Sequence, residues 1–178
     1  MRIIRGKFKG RQINPPKNFN ARPTTDFAKE GLFNILENTY DFEGMQILDL
    51  FSGTGAISYE FLSRGAKSVV AVEISKRQSE FIQNTADSMF PGQMHAIAGD
   101  VFHFIKKRPL KYDIIFADPP YTLEGVADLP EIIFQNENLN SEFTLIIEHS
   151  DVIDFSKHLR FSQVRNYGKV HFSFFVKE

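Results

Sequence analysis

Asp49-Leu50-Phe51-Ser52-Gly53-Thr54-Gly55 decides how this chain folds. It follows a short apolar run, Gln46–Leu50, and leads into residues 55–64, whose apolar positions fall at helical spacing. A strand that turns through glycines into a helix marks the place where open α/β sheets bind ligands, outside the carboxyl ends of parallel strands. The glycines there let backbone approach a ligand without interference from a Cβ. A bare Gly-x-Gly is a weak signal alone. It gains weight from Glu73, twenty residues beyond Gly53 at the end of the next predicted strand, where a carboxylate can accept hydrogen bonds from both ribose hydroxyls. A dinucleotide site would place a third glycine where Ser58 stands, and here a carboxylate, Asp49, precedes the glycines. The pocket therefore suits a nucleoside ligand that lacks a pyrophosphate.

Outward from this stretch the pattern repeats. Strands are predicted at Gln46–Leu50, Ser68–Val72, Met94–Ala98, Tyr112–Ala117 and Thr144–Glu148, and helices over 55–64, 75–89, 101–107 and 126–137. Such alternation is the signature of βαβ units and a parallel sheet. Upstream, Phe27, Leu32, Phe33, Ile35 and Leu36 predict a helix over 26–38, capped by Thr25 or Thr24. Downstream, Leu159–Val164 and Val170–Val176 flank Asn166-Tyr167-Gly168 and predict a closing antiparallel hairpin. Residues 2–13 alternate basic and apolar side chains around Gly6 and Gly10, which predicts a short hairpin. The expected fold is α/β, a Rossmann-like doubly wound and mostly parallel seven-stranded sheet with a C-terminal antiparallel hairpin. A small N-terminal β-hairpin arm over residues 1–25 precedes the main domain over 26–178.

Composition sets the outer bounds. A chain of 178 residues with 42% hydrophobic and 24% charged residues fits one soluble domain. No run approaches the roughly 20 apolar residues of a membrane span, and no signal-peptide pattern follows the charged N-terminus. The absence of cysteine excludes disulfides and thiolate metal sites and fits a reducing cytoplasm, where the protein is expected to reside. The five histidines lack ligand spacing, so no metal is expected. The formal net charge of -1 hides an asymmetry: residues 1–30 carry Arg2, Arg5, Lys7, Lys9, Arg11, Lys17, Arg22 and Lys29 against Asp26 and Glu30. A basic arm on an acidic body is what a polyanion-binding appendage looks like, because phosphate contacts need only accessible cations.

Two groups of residues carry chemistry. Asp49 suits a cationic amino group such as that of S-adenosylmethionine, and Asp100, just past the third strand, can accept from an adenine amino group while capping helix 101–107. Phe51, Gly53, Gly55, Glu73, Ile74 and Val101 complete the expected cofactor site. The second group is Asp118-Pro119-Pro120-Tyr121, at the end of the strand Tyr112–Ala117. Its two prolines fix the backbone and remove two N–H donors, which leaves carbonyl groups free to accept from an amine. An amine conjugated to a base ring is a poor nucleophile. Acceptors at Asp118 and the Pro119 carbonyl can turn its lone pair toward an electrophile and stabilise charge as it develops on nitrogen, while Tyr121 offers a stacking face.

With these residues the chain resembles the class I methyltransferases, and more narrowly the RsmD-type 16S rRNA guanine-N2 methyltransferases. The likeness runs through Arg2-Ile3-Ile4, Gly6-Lys7-Phe8-Lys9-Gly10, Arg22-Pro23-Thr24-Thr25-Asp26, Leu32-Phe33-Asn34-Ile35-Leu36, the stretch 49–55, Leu62-Ser63-Arg64-Gly65-Ala66, Glu73 and the tetrad 118–121. It departs at Phe27, where the family often carries a basic residue, and mildly at Ser52 and Thr54. The resemblance implies S-adenosylmethionine as cofactor and 16S ribosomal RNA as partner, naked or within a partly assembled small subunit. It also implies RNA contacts by Arg5, Lys7, Lys9, Arg22 and Thr24. The tetrad alone would equally serve a DNA adenine-N6 methylase, although the chain has no room for a target-recognition domain. An inactive cofactor-binding RNA scaffold is opposed by the intact Asp49, Glu73, Asp100 and Asp118, and a nicotinamide dehydrogenase by Ser58.

Overall fold

The computed structural model describes residues 1–19 and 25–177. Its elements are α1 (Asp26–Thr39), β1 (Gln46–Leu50), α2 (Ala56–Ser63), β2 (Ser68–Glu73), α3 (Lys76–Met89), β3 (Met94–Ala98), α4 (Val101–Lys107), β4 (Ile114–Ala117), a 3-10 turn (Val126–Asp128) leading into α5 (Leu129–Phe134), β5 (Phe143–His149), β6 (Phe161–Tyr167) and β7 (Val170–Lys177). The strands form one sheet in the order β3-β2-β1-β4-β5-β7-β6. The first five are parallel, and β7 inserts antiparallel between β5 and β6. This is the doubly wound, mostly parallel architecture expected, with the hairpin folded back so that its second strand takes the inner place.

Successive residues of a strand face opposite sides of the sheet, and both sides are covered. Ile47, Phe116 and Ile146 pack with Phe33, Phe61 and Ile82 on the side of α1, α2 and α3. Leu48, Ile115 and Leu145 pack with Ile105, Leu129 and Ile133 on the side of α4 and α5. Helix boundaries follow local chemistry. The hydroxyl of Thr25 accepts from Ala28 N at the start of α1, and the carboxylate of Asp100 accepts from His103 N at the start of α4.

Several predicted elements shift by a residue at an end, and three depart further from their expected limits. The helix expected over 126–137 is a 3-10 turn and a short α-helix, because Asn136 turns its amide onto Ile105 O and Arg108 O while its own carbonyl oxygen accepts from Asn138 N. That competition ends the helix. The fourth strand starts at Ile114 rather than Tyr112, since Asp113 is engaged with both backbone groups of Gln46. The sixth runs to Tyr167, and the reversal is made by Gly168 (φ 65°) and Lys169.

The basic arm pairs weakly with itself, through one antiparallel bridge between Arg2 and Gln12. Most of its anchorage is to α1 and α2. Ile3 and Ile13 join the core, and the backbone N–H groups of Ile4 and Arg5 donate to the two oxygens of Glu60 at 2.9 and 3.0 Å. Glu60 is fully buried and also meets Arg64 at 2.6 Å and Lys29 at 3.4 Å. Lys29 donates to Arg2 O, and Arg64 reaches Glu37 at 2.7 Å and lies over the ring of Phe33. Burial pushes the Lys29 ammonium below its ordinary pKa, opposed chiefly by Glu60. One carboxylate thus neutralises two buried cations. Glu60→Gln should cost about 3 to 5 kcal/mol, the usual loss when a buried ion pair is left one-sided. A urea-unfolding midpoint that gives less than about 1 kcal/mol would show that the network does not hold the arm.

Candidate active site

The carboxyl ends of the parallel strands border a cleft of about 500 Å³. It opens where the connections from β1 and β4 diverge, because β1 stands between β2 and β4 in the sheet. Its floor is the turn after β1. Phe51 holds a left-handed backbone conformation (φ 60°), the one non-glycine residue to do so among those described. For a side chain of this size that strain costs of order 1 kcal/mol or more and is typical of functional sites. Gly53 (φ 56°) follows, where the same conformation is free of that penalty. The turn is held by Glu73, whose two oxygens accept from Gly53 N and Ser75 N, both at 2.9 Å. Gln78 adds a bond to Gly53 O at 3.1 Å. Glu73 therefore ties the loop after β1 to the loop after β2, and each oxygen keeps a lone pair for a ligand.

Asp49 lies at the base of the cleft and is 1% exposed. Burial pushes its carboxyl up to about 7, helped by the charges of Asp118 and Glu73 and opposed by the hydroxyl of Ser58, which donates at 2.5 Å. A site that disfavours a carboxylate in this way favours a cation beside it. Above it the wall is apolar: Ile74 is 73% exposed yet borders the cleft, and Phe102 meets Phe51 edge to face at 6.3 Å. A buried carboxyl that awaits a cation, acceptors at Glu73 and Asp100, and an exposed aliphatic face beside two aromatic rings fit S-adenosylmethionine: ammonium, ribose and adenine each find a matching group.

All the residues expected at the cofactor site except Gly55 line this cleft; Gly55 (φ 81°) caps α2 and packs on Tyr59. The whole tetrad Asp118-Pro119-Pro120-Tyr121 lines it as well, with Asp118 N bonded to Leu50 O at 3.3 Å and Tyr121 45% exposed. Arg5, Lys7 and Lys9 do not. Lys7 N and Phe8 N bond Ser63 at the far end of α2 from Gly55, and Arg5 pairs with Glu37 at 3.0 Å. Arg22 and Thr24 lie outside the described residues. The cleft also contains residues that sequence reasoning passed over: Thr25, Gln78, Phe102, Phe116, Leu123, Glu148 and Val170. Only Glu148 carried a signal, a carboxylate ending an otherwise apolar run. No cluster with metal-ligating composition occurs among the described residues.

Comparison with known proteins agrees with this geometry. Residues 1–176 match the family model described as conserved hypothetical protein 95. The chain is 31% identical over 154 residues to ribosomal RNA small subunit methyltransferase D of Buchnera aphidicola, covering 86% of this chain and 78% of that protein. The solved structure of Escherichia coli yhhF superposes with a TM-score of 0.85 at 23% identity, over 100% of this chain and 98% of that one. The structure of SMU.776, complexed with SAH, superposes with a TM-score of 0.68 at 19% identity, over 84% of this chain and 49% of that one. At such identities the two structures speak for the fold.

The raised pKa of Asp49 has a sign that can be measured. The folded chain holds this proton up to about pH 7, whereas an unfolded aspartate releases it near 4. The stability contributed by the protonated group is thus complete below pH 4 and lost as pH rises to 7. Asp49→Asn should melt a few degrees above wild type at pH 8, and the gap should close by pH 4. A gap of equal size at both pH values would mean that Asp49 does not titrate in this range. The same substitution should weaken S-adenosylmethionine binding at pH 8, since it removes the charge that meets the cation.

Proposed function

Because the chain belongs to the conserved hypothetical protein 95 family, which takes in the small-subunit ribosomal RNA methyltransferase D relatives, we propose that it methylates the exocyclic N2 amino group of a guanine in 16S ribosomal RNA. It is an S-adenosylmethionine-dependent RNA methyltransferase, and its substrate is ribosomal RNA of the small subunit. No described helix is long and apolar enough to cross a membrane, and a ribosomal substrate supports a cytoplasmic setting for the reaction. The observation that carries the guanine-amine reading is the tetrad at the end of β4, which shares one cleft with Asp49, Glu73 and Asp100.

When bound, S-adenosylmethionine supplies a methyl group made electrophilic by its sulfonium. The chain's own residues bring the amine to it. Asp49 holds the cofactor's ammonium, Glu73 its ribose and Asp100 its adenine. Asp118 and the Pro119 carbonyl accept the N–H bonds of the target amine, which fixes the plane of the amino group and leaves its lone pair directed at the methyl. Tyr121 stacks on the base and holds it out of its RNA strand. As nitrogen becomes positive, Asp118 would stabilise it more than the neutral amine, lowering the barrier, and would then accept the proton that the methylated nitrogen must lose to give the neutral product.

Labelled S-adenosylmethionine supplied with small subunits and naked rRNA from cells lacking this protein, followed by mapping of the modified base, tests the reading. N2-methylguanine is the expected product; N6-methyladenine, or cofactor binding without transfer, would refute it. Asp118→Ala should melt near wild type and bind cofactor nearly as well, yet lose about 10²-fold or more in single-turnover rate, as when one preorganised hydrogen-bonding group is removed. A folded variant that transfers methyl at the wild-type rate would take Asp118 out of the mechanism.

Arg5, Lys7 and Lys9 are proposed to hold the RNA backbone outside the cleft, and Arg22 and Thr24 to contact RNA as well. Supporting this, Arg5, Lys7 and Lys9 are solvent-exposed. Neutralising these three together should weaken RNA binding and lower the salt slope by about 1 for each phosphate no longer held, with cofactor affinity unchanged. An unaltered slope would make the arm a purely structural appendage.

A further inference from the structure

The cleft is also lined by Thr25, Phe116, Asp118, Glu148 and Val170. Glu148 is the residue here with no assigned task. It is 5% exposed and is the penultimate residue of β5, after the buried positions Leu145, Ile146 and Ile147. A carboxylate kept in such a place costs stability unless it meets a polar partner, and in a cleft it is a candidate for function.

The register sets its position. β4 and β5 run parallel with Ala117 beside Ile147, so the next residues along, Asp118 and Glu148, stand side by side. Both lie two residues beyond Phe116 and Ile146, which face the side of α1, α2 and α3, so the strand period puts both on that face. Neighbouring strands are about 4.8 Å apart. Two acceptors that each take one hydrogen from a planar amino group, at about 2.9 Å and about 120° apart, stand about 5 Å from one another. The two backbone positions that carry these carboxylates are thus spaced about as an NH₂ group requires of its two acceptors.

We infer that Glu148 reads the Watson–Crick edge of the target guanine, accepting from N1–H and from the N2 hydrogen beside it, while Asp118 and the Pro119 carbonyl share the other N2 hydrogen in a three-centre bond. This inference rests on the guanine-N2 reading above. A carboxylate has about four lone-pair sites, so contacts that hold Glu148 within the fold leave capacity for both bonds. The chemistry separates the bases. Guanine presents two adjacent donors to a bidentate acceptor, whereas adenine presents an acceptor at N1, whose lone pair would oppose the carboxylate. With both N2 hydrogens held in the ring plane, the nitrogen lone pair stands perpendicular to it, toward the cofactor.

The test compares small-subunit RNA carrying guanine or 2-aminopurine at the mapped position. 2-Aminopurine keeps the amino group to be methylated but has no hydrogen on N1. Wild type should prefer guanine by about 10²-fold or more in kcat/KM, as sites that hydrogen-bond a donor reject an analogue lacking it. Glu148→Gln should lose at least about tenfold on guanine and narrow that preference at least about tenfold, because its amide can donate to the bare N1. Its melting temperature and its affinity for S-adenosylmethionine should match wild type. Should Glu148→Gln fail to fold, Glu148→Asp, shorter by one methylene, should lose more on guanine than on 2-aminopurine and so narrow the preference, because it withdraws the acceptor from N1–H. Equal losses on both bases, or an unchanged ratio, would overturn the inference and leave a structural carboxylate. If wild type forms N2-methylguanine while the ratio is unmoved, only this inference falls; if wild type methylates adenine, the guanine reading falls with it.

Discussion

The site exists because the sheet changes direction beside β1. The chain lays β2 and β3 on one side of β1, then returns to lay β4 and β5 on the other, so the connections that leave β1 and β4 move apart and cannot fill the space above the strand ends. Everything chemical lies around that gap. Asp49 stands at the end of β1, Glu73 ends β2, Asp100 follows β3, Asp118 follows β4 and Glu148 lies near the end of β5. Five carboxylates from five strands meet at one edge of the sheet, although they are spread over some hundred residues of sequence. No local segment could assemble them.

Helix α2 joins this edge to the arm. Within one short helix, Ser58 donates to Asp49 in the cleft, Tyr59 packs beneath Gly55, and Glu60 turns the other way to hold the backbone of Ile4 and Arg5. The N-terminal segment is fixed to the same rigid element that shapes the cofactor loop. Met1 extends this contact, its sulfur accepting from the hydroxyl of Thr54 at 3.4 Å.

Patterns with a local cause were legible in the sequence. Alternating strand and helix, the caps at Thr25 and Asp100, and the glycine turn after β1 all follow from neighbouring residues, and β1 and β3 have the limits that their apolar runs predict. What escaped depends on contacts distant in sequence. Lys29 counts among the cations of the basic N-terminal stretch and Glu60 carries no signal, since nothing nearby announces that the arm will bury them. The inner place of β7 is set by its pairing with β5, and that pairing brings Val170 to the cleft. The place of Glu148 beside Asp118 is visible only once β5 is set next to β4. The glycine turn, Glu73, Asp100 and the tetrad 118–121 were readable because each sits at the end of its own strand, whereas Glu148 depends on a strand pairing and was not.

The charge distribution then bears on how RNA and the cleft meet. A compartment with Asp49, Glu73, Asp118 and Glu148 repels phosphate, and the buried setting strengthens that repulsion. It attracts a sulfonium cofactor with an ammonium group and welcomes N–H donors, and it excludes the backbone of the strand that carries them. A duplex or a stacked strand cannot present a base without its phosphates close behind, so a base enters only when turned out of its stack. Among the exposed cations of the arm, Arg5, Lys7 and Lys9 line no part of the cleft, and the backbone of Lys7 is bonded at the far end of α2. Under the proposed function, this separation of the positive surface from the negative cleft would let one small domain bind a polyanion and still present an amine to a cationic methyl donor.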